Sequence, residues 1–170
     1  MKQERRLPQT SKEGLLYGVV ICGITAFLMA SFNIYLQVKQ VNMTLVVMIL
    51  KAFPLFFLIA LLLETFVMHQ PVEKLVRKFT EKDDSFNAVI LFTVLFTVVG
   101  MSFSMTIIGD FIGHGFLIEQ GFLLRFLAAW PRNFAIVLMI ELLIAQPLAR
   151  KVMTVLHQNK SAEYQVPLGE

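Results

Sequence analysis

Long apolar runs alternate with short polar segments along the chain. Residues 15–36 are 22 consecutive positions without a charge, enough to cross the roughly 30 Å hydrocarbon core of a bilayer as one helix. Three further apolar runs predict membrane helices at about residues 43–68, 86–108 and 123–145. The start of the fourth helix stays open, because residues 116–129 alternatively form an interfacial helix with the span beginning near Pro131. The pattern predicts an all-α integral membrane protein with four transmembrane helices.

A basic amphipathic stretch follows the second apolar run, and another follows the fourth. Apolar residues repeat at helical spacing in both, at Val72, Leu75, Val76 and Phe79 and at Leu148, Val152, Val155 and Leu156. Segments of this kind are typical of helices that lie on a membrane surface. We therefore expect five basic side chains to face the lipid head groups: Lys74, Arg77, Lys78, Arg150 and Lys151.

The basic residues also predict the orientation of the chain. Residues 1–13 carry four Lys or Arg, the loop after the second helix four and the C-terminal segment three, whereas the two opposite loops share one, Lys39. The positive-inside rule then places both termini in the cytoplasm. We interpret residues 1–13 as a cytoplasmic leader and residues 158–170 as a disordered cytoplasmic tail.

The second half of the chain repeats the first. Segments 52–64 and 129–141 both begin with an aromatic residue and a proline, contain one glutamate, and lead to Gln-Pro and basic residues. The matching prolines and glutamates are Pro54 and Pro131, and Glu64 and Glu141. We divide the membrane region into two helical-hairpin repeats, 14–80 and 81–157. Each repeat enters and leaves on the same side, which predicts parallel repeats related by an axis along the membrane normal.

The composition agrees with this class. The 170 residues are 56% hydrophobic and 16% charged, whereas about a quarter of a typical soluble domain is charged. The net charge of +3 does not indicate nucleic-acid binding, because the basic residues flank apolar segments instead of forming one face. The single cysteine cannot form an intrachain disulfide. It belongs to a ridge of small residues at every fourth position, which predicts close helix contact: Gly14, Gly18, Cys22, Ala26 and Ala30.

Charged residues inside the spans are the candidates for chemistry, because each costs about 2.5–3.5 kcal/mol at mid-membrane. Glu64 and Glu141 occupy matching places and are able to bind a proton or a cation in a groove between the repeats. Alternatively, both lie near the inner surface and pair with Lys74 and Arg150.

Basic residues and prolines also occur in the outer halves of the spans. Outer-surface snorkelling is the interpretation we favour for Lys51 and Arg125. Arg132 and Asn133 are candidates for hydrogen bonds between helices. Two prolines are candidate kinks, Pro54 and Pro131.

The sequence indicates no enzyme, no cofactor and no metal site. It contains no phosphate-binding glycine loop, metalloprotease motif or nucleophile elbow. The outer loop contains three residues of a type that binds metals: Asp110, His114 and Glu119. They lack the spacing of a recognised metal site, and the glycine-rich segment 109–115 is interpreted as a solvated turn.

Several segments carry a family resemblance. They are TSKEGLLYG at 10–18, MASFN at 29–33, WPRNF at 130–134 and QPLAR at 146–150. Together they resemble the bacterial membrane family called domain of unknown function 2798, some members of which carry the two-helix unit twice. The resemblance covers roughly residues 12–156 and implies this architecture and a location in the bacterial cytoplasmic membrane. The family name assigns no activity, so the resemblance implies nothing about function.

Two functional hypotheses follow. The first is a small permease-like transporter, with a homodimer as an open possibility and with Glu64 and Glu141 as coupling sites. The second is a non-transporting scaffold or accessory protein, whose basic segments bind anionic lipid or a partner. The lipid bilayer is an expected partner in both, and nucleic acid in neither.

Overall fold

The structure, a computed structural model, describes residues 7–81, 84, 86–118 and 120–163, and the secondary structure in these ranges is helical. The first half contains α1 (Ser11–Val38), α2 (Met43–Leu62), a first π turn (Leu63–Met68) and α3 (His69–Phe79). The second half contains α4 (Phe86–Gly113), α5 (Phe122–Ile140), a second π turn (Glu141–Ala145) and α6 (Gln146–Glu163).

Four continuous helices in the described ranges are long and apolar enough to cross a membrane. They are Ser11–Val38, Met43–Phe79, Ala88–Gly113 and Phe122–Gln158. No more than 17% of the apolar stretch of each is buried inside the protein, so most apolar side chains face outwards, as lipid-facing residues do. The prediction of four transmembrane helices is confirmed. The fourth begins at Phe122 and runs through Pro131 without a break, so the alternative of a separate interfacial helix is wrong.

Capping residues set the ends of the first hairpin. Thr10 Oγ1 accepts a hydrogen bond from the Glu13 backbone N–H at 3.3 Å and caps α1. Glu13 Oε2 accepts a second hydrogen bond, from the Gln9 backbone N–H at 2.8 Å. Helix α1 ends at Lys39, whose φ of 55° turns the chain, and Asn42 caps α2 through Leu45 N–H at 2.9 Å. The short connection holds the two helices antiparallel.

The helices bulge at the glutamates and not at the mid-helix prolines. The backbone is α-helical through Pro54 and Pro131. In the π turns, His69 N–H donates to the Glu64 carbonyl and Gln146 N–H donates to the Glu141 carbonyl, each five residues back. A Gln-Pro pair lies at or just after each of these donors, and a proline inside a helix removes an N–H and crowds the carbonyl four residues before it. The wider turn accommodates that defect while the helix continues.

The repeats exchange their amphipathic helices. Helices α1 and α2 pack as one hairpin and α4 and α5 as the other, while α3 lies on α4 and α6 lies on α1. Ala145 and Ala149 are fully buried against Ile21 of α1. The prediction of separate helices on the membrane surface is therefore corrected, because each amphipathic segment continues a spanning helix and packs against the other repeat.

Only part of the predicted apolar side of these segments is buried inside the protein. In α3, Val72 and Val76 are buried, but Leu75 and Phe79 are exposed. In α6, the buried residues are Ala149, Met153 and His157, whereas the predicted apolar side contains three exposed residues: Leu148, Val152 and Val155. Helix α6 runs to Glu163, into the predicted tail, whereas residues 164–170 and the leader residues 1–6 lie outside the described part of the chain.

Candidate functional site

A cavity of about 740 Å³ runs between the spanning helices. It extends from Gln146, at the start of α6, to His114, just after α4. The lining residues of α1 and of α4 recur at helical spacing, so each helix presents one face to the cavity. The fourth spanning helix adds residues from Arg125 in α5 to Glu141 in the second π turn. The cavity therefore lies between the two repeats and follows the length of the bundle.

The ridge of small residues on α1 faces this cavity. All five members line it, and Cys22, Ala26 and Ala30 are buried. A Cβ atom at Gly14 would meet nothing within 4 Å, and one at Gly18 would meet only Glu64 Oε1, at 3.9 Å. The prediction of close helix contact is thus wrong for these two glycines, which keep space open beside a carboxylate.

The two repeat-equivalent glutamates line the same cavity. Thr25 Oγ1 of α1 donates a hydrogen bond to Glu141 Oε1 at 2.9 Å, and the Glu64 carboxylate lies beside Gly18. Both glutamates are half-buried, and within the described ranges neither forms an ion pair with Lys74 or Arg150. Helix α1 of the first repeat therefore contacts the glutamates of both.

A second cavity of about 520 Å³ meets the first at Glu64. It lies between α4 and the helix formed by the first π turn and α3, and its lining includes His69 and Arg77. Glu64, Thr93 and Thr97 line both cavities. Glu64 thus stands where the central cavity meets a path toward the end of the bundle that carries α3.

A buried polar cluster joins α4 to α5 on the cavity wall. Asn133 Nδ2 donates to Thr106 Oγ1 at 3.1 Å, and the Thr106 hydroxyl donates to the Ser102 carbonyl at 2.7 Å. Trp130 Nε1 donates to Ser102 Oγ at 3.3 Å. The interhelical role predicted for Asn133 is confirmed. Its Oδ1 is buried and has no hydrogen-bond partner among the described residues.

An ion pair stands at the cavity end away from α3 and α6. Arg125 donates from Nε to Asp110 Oδ1 at 2.9 Å and from Nη2 to Asp110 Oδ2 at 3.0 Å. His114 Nδ1 lies 2.8 Å from the Asp110 carbonyl oxygen. The snorkelling interpretation of Arg125 is corrected, because Arg125 joins the start of α5 to the end of α4. Glu119 lies outside the described residues, and no cluster of metal-ligand type occurs within them.

Other candidates from the sequence lie outside the cavity. Lys51 and Arg132 are exposed, and the Arg132 guanidinium lies 5.8 Å from the ring centroid of Phe32. Of the proposed head-group contacts, Lys74, Arg77, Lys78 and Lys151 are exposed. Arg150 differs, because it is half-buried and its Nε has no partner among the described residues.

Two contacts near the α6 end were missed by sequence reasoning. Tyr17 donates to Gln146 Oε1 at 2.6 Å, and His157 Nε2 lies 3.1 Å from Glu13 Oε2 in a buried pair. Both contacts join α1 to α6, across 129 and 144 residues of sequence. The only sequence signal was the presence of polar residues on otherwise apolar or small faces.

Comparison with known families gives one finding. The family model described as "Domain of unknown function (DUF2798)" matches the chain twice, at residues 10–80 and 86–157. These matches follow the two structural repeats, with a boundary between α3 and α4. Comparison with curated proteins and with solved structures gives no match.

Proposed function

We propose that this chain, which belongs to the family described as "Domain of unknown function (DUF2798)" and carries its unit twice, is a small permease-like transporter of the bacterial cytoplasmic membrane. The observation that carries the proposal is that Glu64 and Glu141 line one cavity between the repeats. Transporters built from repeats bind solutes at the repeat interface, and ionisable residues at membrane depth usually mark a pathway. This analogy supports transport as a class and assigns no catalytic activity.

The mechanism we propose is alternating access around the glutamates. The second cavity offers Glu64 a route toward the α3 end, while the Asp110–Arg125 pair crosses the other end of the central cavity. Both glutamates lie in π turns, where the helix is locally widened. Rocking of one repeat against the other at these turns would expose the carboxylates to each side in turn. With both termini in the cytoplasm, as the basic residues predict, the α3 end faces inwards.

Solute flux with matched variants tests the proposal. Glu64→Gln and Glu141→Gln keep side-chain size and remove the charge, so each is expected to lower flux in proteoliposomes at least tenfold with unchanged folding. Glu81→Gln is the matched control, because Glu81 is exposed and lines neither cavity. Normal flux in both cavity variants would contradict the proposal.

Cysteine labelling tests the pathway before any solute is known. Cys22 is first replaced by Ser, since it is the single cysteine of the chain. A cysteine at position 64 or 141 is expected to react with an impermeant thiol reagent from either side, at rates that change with added solute. A cysteine at the exposed Lys51 position is the control. Protection from both sides, or constant reaction from one side, would remove the support for alternating access.

A second candidate is the non-transporting scaffold. The exposed cations on α3 favour it, namely Lys74, Arg77 and Lys78, because a basic surface beside a membrane attracts anionic lipid or an acidic partner. Under this function, replacing these cations by Gln changes the cellular phenotype, whereas Glu64→Gln and Glu141→Gln do not. A homodimer is the assembly we propose in either case, and mass measurement in nanodiscs tests it.

A further inference from the structure

The central cavity combines acceptors and negative charge with an apolar wall. Glu64 and Glu141 lie on its surface, and Arg125, the cation that lines it within the described ranges, is engaged by Asp110. Between Asn133 and Glu141 the wall is formed by a buried valine cluster: Val94, Val98 and Val137. Such a cavity disfavours anions and attracts cations that carry an apolar body.

Asn133 supplies a third acceptor at a defined distance from the glutamates. The Thr106 hydroxyl donates to a backbone carbonyl, so its oxygen is left as an acceptor and orients the Asn133 amide with Nδ2 toward it. Oδ1 is consequently the other end of this amide, and it is buried without a hydrogen-bond partner among the described residues. Asn133 as a whole is only 7% exposed. Buried acceptors are normally satisfied, so one without a partner beside a cavity is a place for a ligand donor.

The spacing of the acceptors limits the shape of the ligand. Asn133 of α5 and Glu141, which directly follows α5, are eight residues apart, and both line the cavity. At 1.5 Å per residue this separates them by about 12 Å along the helix. A compact cation would reach only one of them, whereas an extended chain would reach both.

We propose that the cavity binds an elongated aliphatic amine, with an ammonium group at Glu141 and an N–H donor at Asn133 Oδ1. The methylene chain lies along the valine cluster between these ends. A tilt of the Asn133 amide that keeps the bond from Nδ2 to Thr106 exposes Oδ1 to the donor. This inference rests on the proposed function, because it names the solute class of the same cavity.

The test is ligand binding, measured by the fluorescence of Trp130. Trp130 is the single tryptophan of the chain, and its indole N–H donates a hydrogen bond to Ser102, which lines the cavity. Three probes are titrated into the protein in nanodiscs, with empty nanodiscs subtracted. Octamethylenediamine has charge and donors at both ends, octylamine has them at one end, and octamethonium has two charges and no N–H. The diamine is expected to bind about tenfold more tightly than either of the others, because a hydrogen bond between a charged and a neutral group has about that effect.

Variants assign the two ends of the ligand. Asn133→Leu is expected to reduce the diamine to the affinity of octylamine, while Glu141→Gln weakens both amines. Gln158→Leu is the control for replacing an amide by leucine, since Gln158 is exposed on α6 and lines neither cavity. If Asn133→Leu does not fold, the comparison of the three probes on the unaltered protein still decides. Equal affinity for the diamine and octamethonium, or an unchanged preference for the diamine in Asn133→Leu, would overturn the proposal.

Flux of the diamine into proteoliposomes, measured separately, distinguishes this inference from the function on which it rests. Binding without flux would refute transport and keep the amine site. Glutamate-dependent flux of other solutes without amine binding would refute the amine site and keep transport.

Discussion

The Asp110–Arg125 pair allows the sharpest test of the packing between α4 and α5. Its side chains are 14% and 32% exposed, and two hydrogen bonds of 2.9 and 3.0 Å join the guanidinium to both carboxylate oxygens. Asp110→Asn keeps the shape of the acid and removes its charge. Arg125→Gln removes the guanidinium that makes both hydrogen bonds, and it also removes the contact from Nη1 to the Gln120 carbonyl. A double-mutant cycle is therefore needed to isolate the pair itself.

The expected magnitude follows from the partial burial. Exposed pairs contribute about 0.2–1 kcal/mol, whereas removing one partner of a buried pair costs about 3–5 kcal/mol. The Asp110–Arg125 pair lies between these limits, so we expect a coupling energy of about 1–2 kcal/mol. For a chain of this length, 1 kcal/mol corresponds to about 2–4 °C in Tm, so each single variant should unfold several degrees lower.

The assay is thermal unfolding of the single and double variants in nanodiscs of one lipid composition. The chain supplies a matched control in Glu73 and Arg77, an exposed pair on α3 with side chains 49% and 77% exposed. Its coupling should be no more than about 0.5 kcal/mol, as for other helix-surface pairs four residues apart. Equal coupling energies for the two pairs would refute the reasoning from burial.

Three further predictions address the cavity and the end that carries α6. Thr25→Val combined with Glu141→Gln should show a coupling of about 0.6–1.7 kcal/mol in unfolding, the range measured for hydrogen bonds between membrane helices, and additive effects would contradict the contact. Gly18→Leu should lower flux and amine binding while leaving Tm unchanged, because Glu64 Oε1 is the nearest atom that its Cβ would meet; a large fall in Tm would show that the space is not open. His157→Leu should destabilise the protein by about 1–3 kcal/mol in thermal unfolding, because it takes a polar partner from the buried Glu13 carboxylate, and an unchanged Tm would refute a structural role for this pair.

The spans and the repeat could be predicted from the sequence because both are local properties. A bilayer requires about 20 apolar residues in each helix, and runs of that length are visible without knowledge of any contact. Matching positions of Pro and Glu similarly identified Glu64 and Glu141 as equivalent. Asn133 was a reasonable candidate because an amide in an apolar span needs a partner.

The lateral arrangement of side chains could not be predicted in the same way. In water, an apolar face indicates the core, but in lipid both the core and the outside are apolar. The predicted apolar side of α6, with Leu148 and Val152, is exposed, whereas the smaller Ala149 and the flexible Met153 are among the buried residues. The small residues of α1 were ambiguous for a related reason, since the lack of a side chain permits either close packing or open space.

The sequence by itself determined the number of spans, their two-fold repetition and the position of one glutamate in each repeat, because hydrophobic length and residue identity suffice for these. Only the tertiary structure decided that α6 lies on α1 and α3 on α4, and that Thr25 of the first repeat meets Glu141 of the second. The α1–α2 hairpin places Gly18 beside Glu64. The tertiary structure also decided that Arg125 meets Asp110 and that Asn133 Oδ1 has no partner in the described part of the chain. Contacts between distant segments depend on how the helices are rotated and placed against each other, and a one-dimensional apolar pattern does not specify that rotation in lipid.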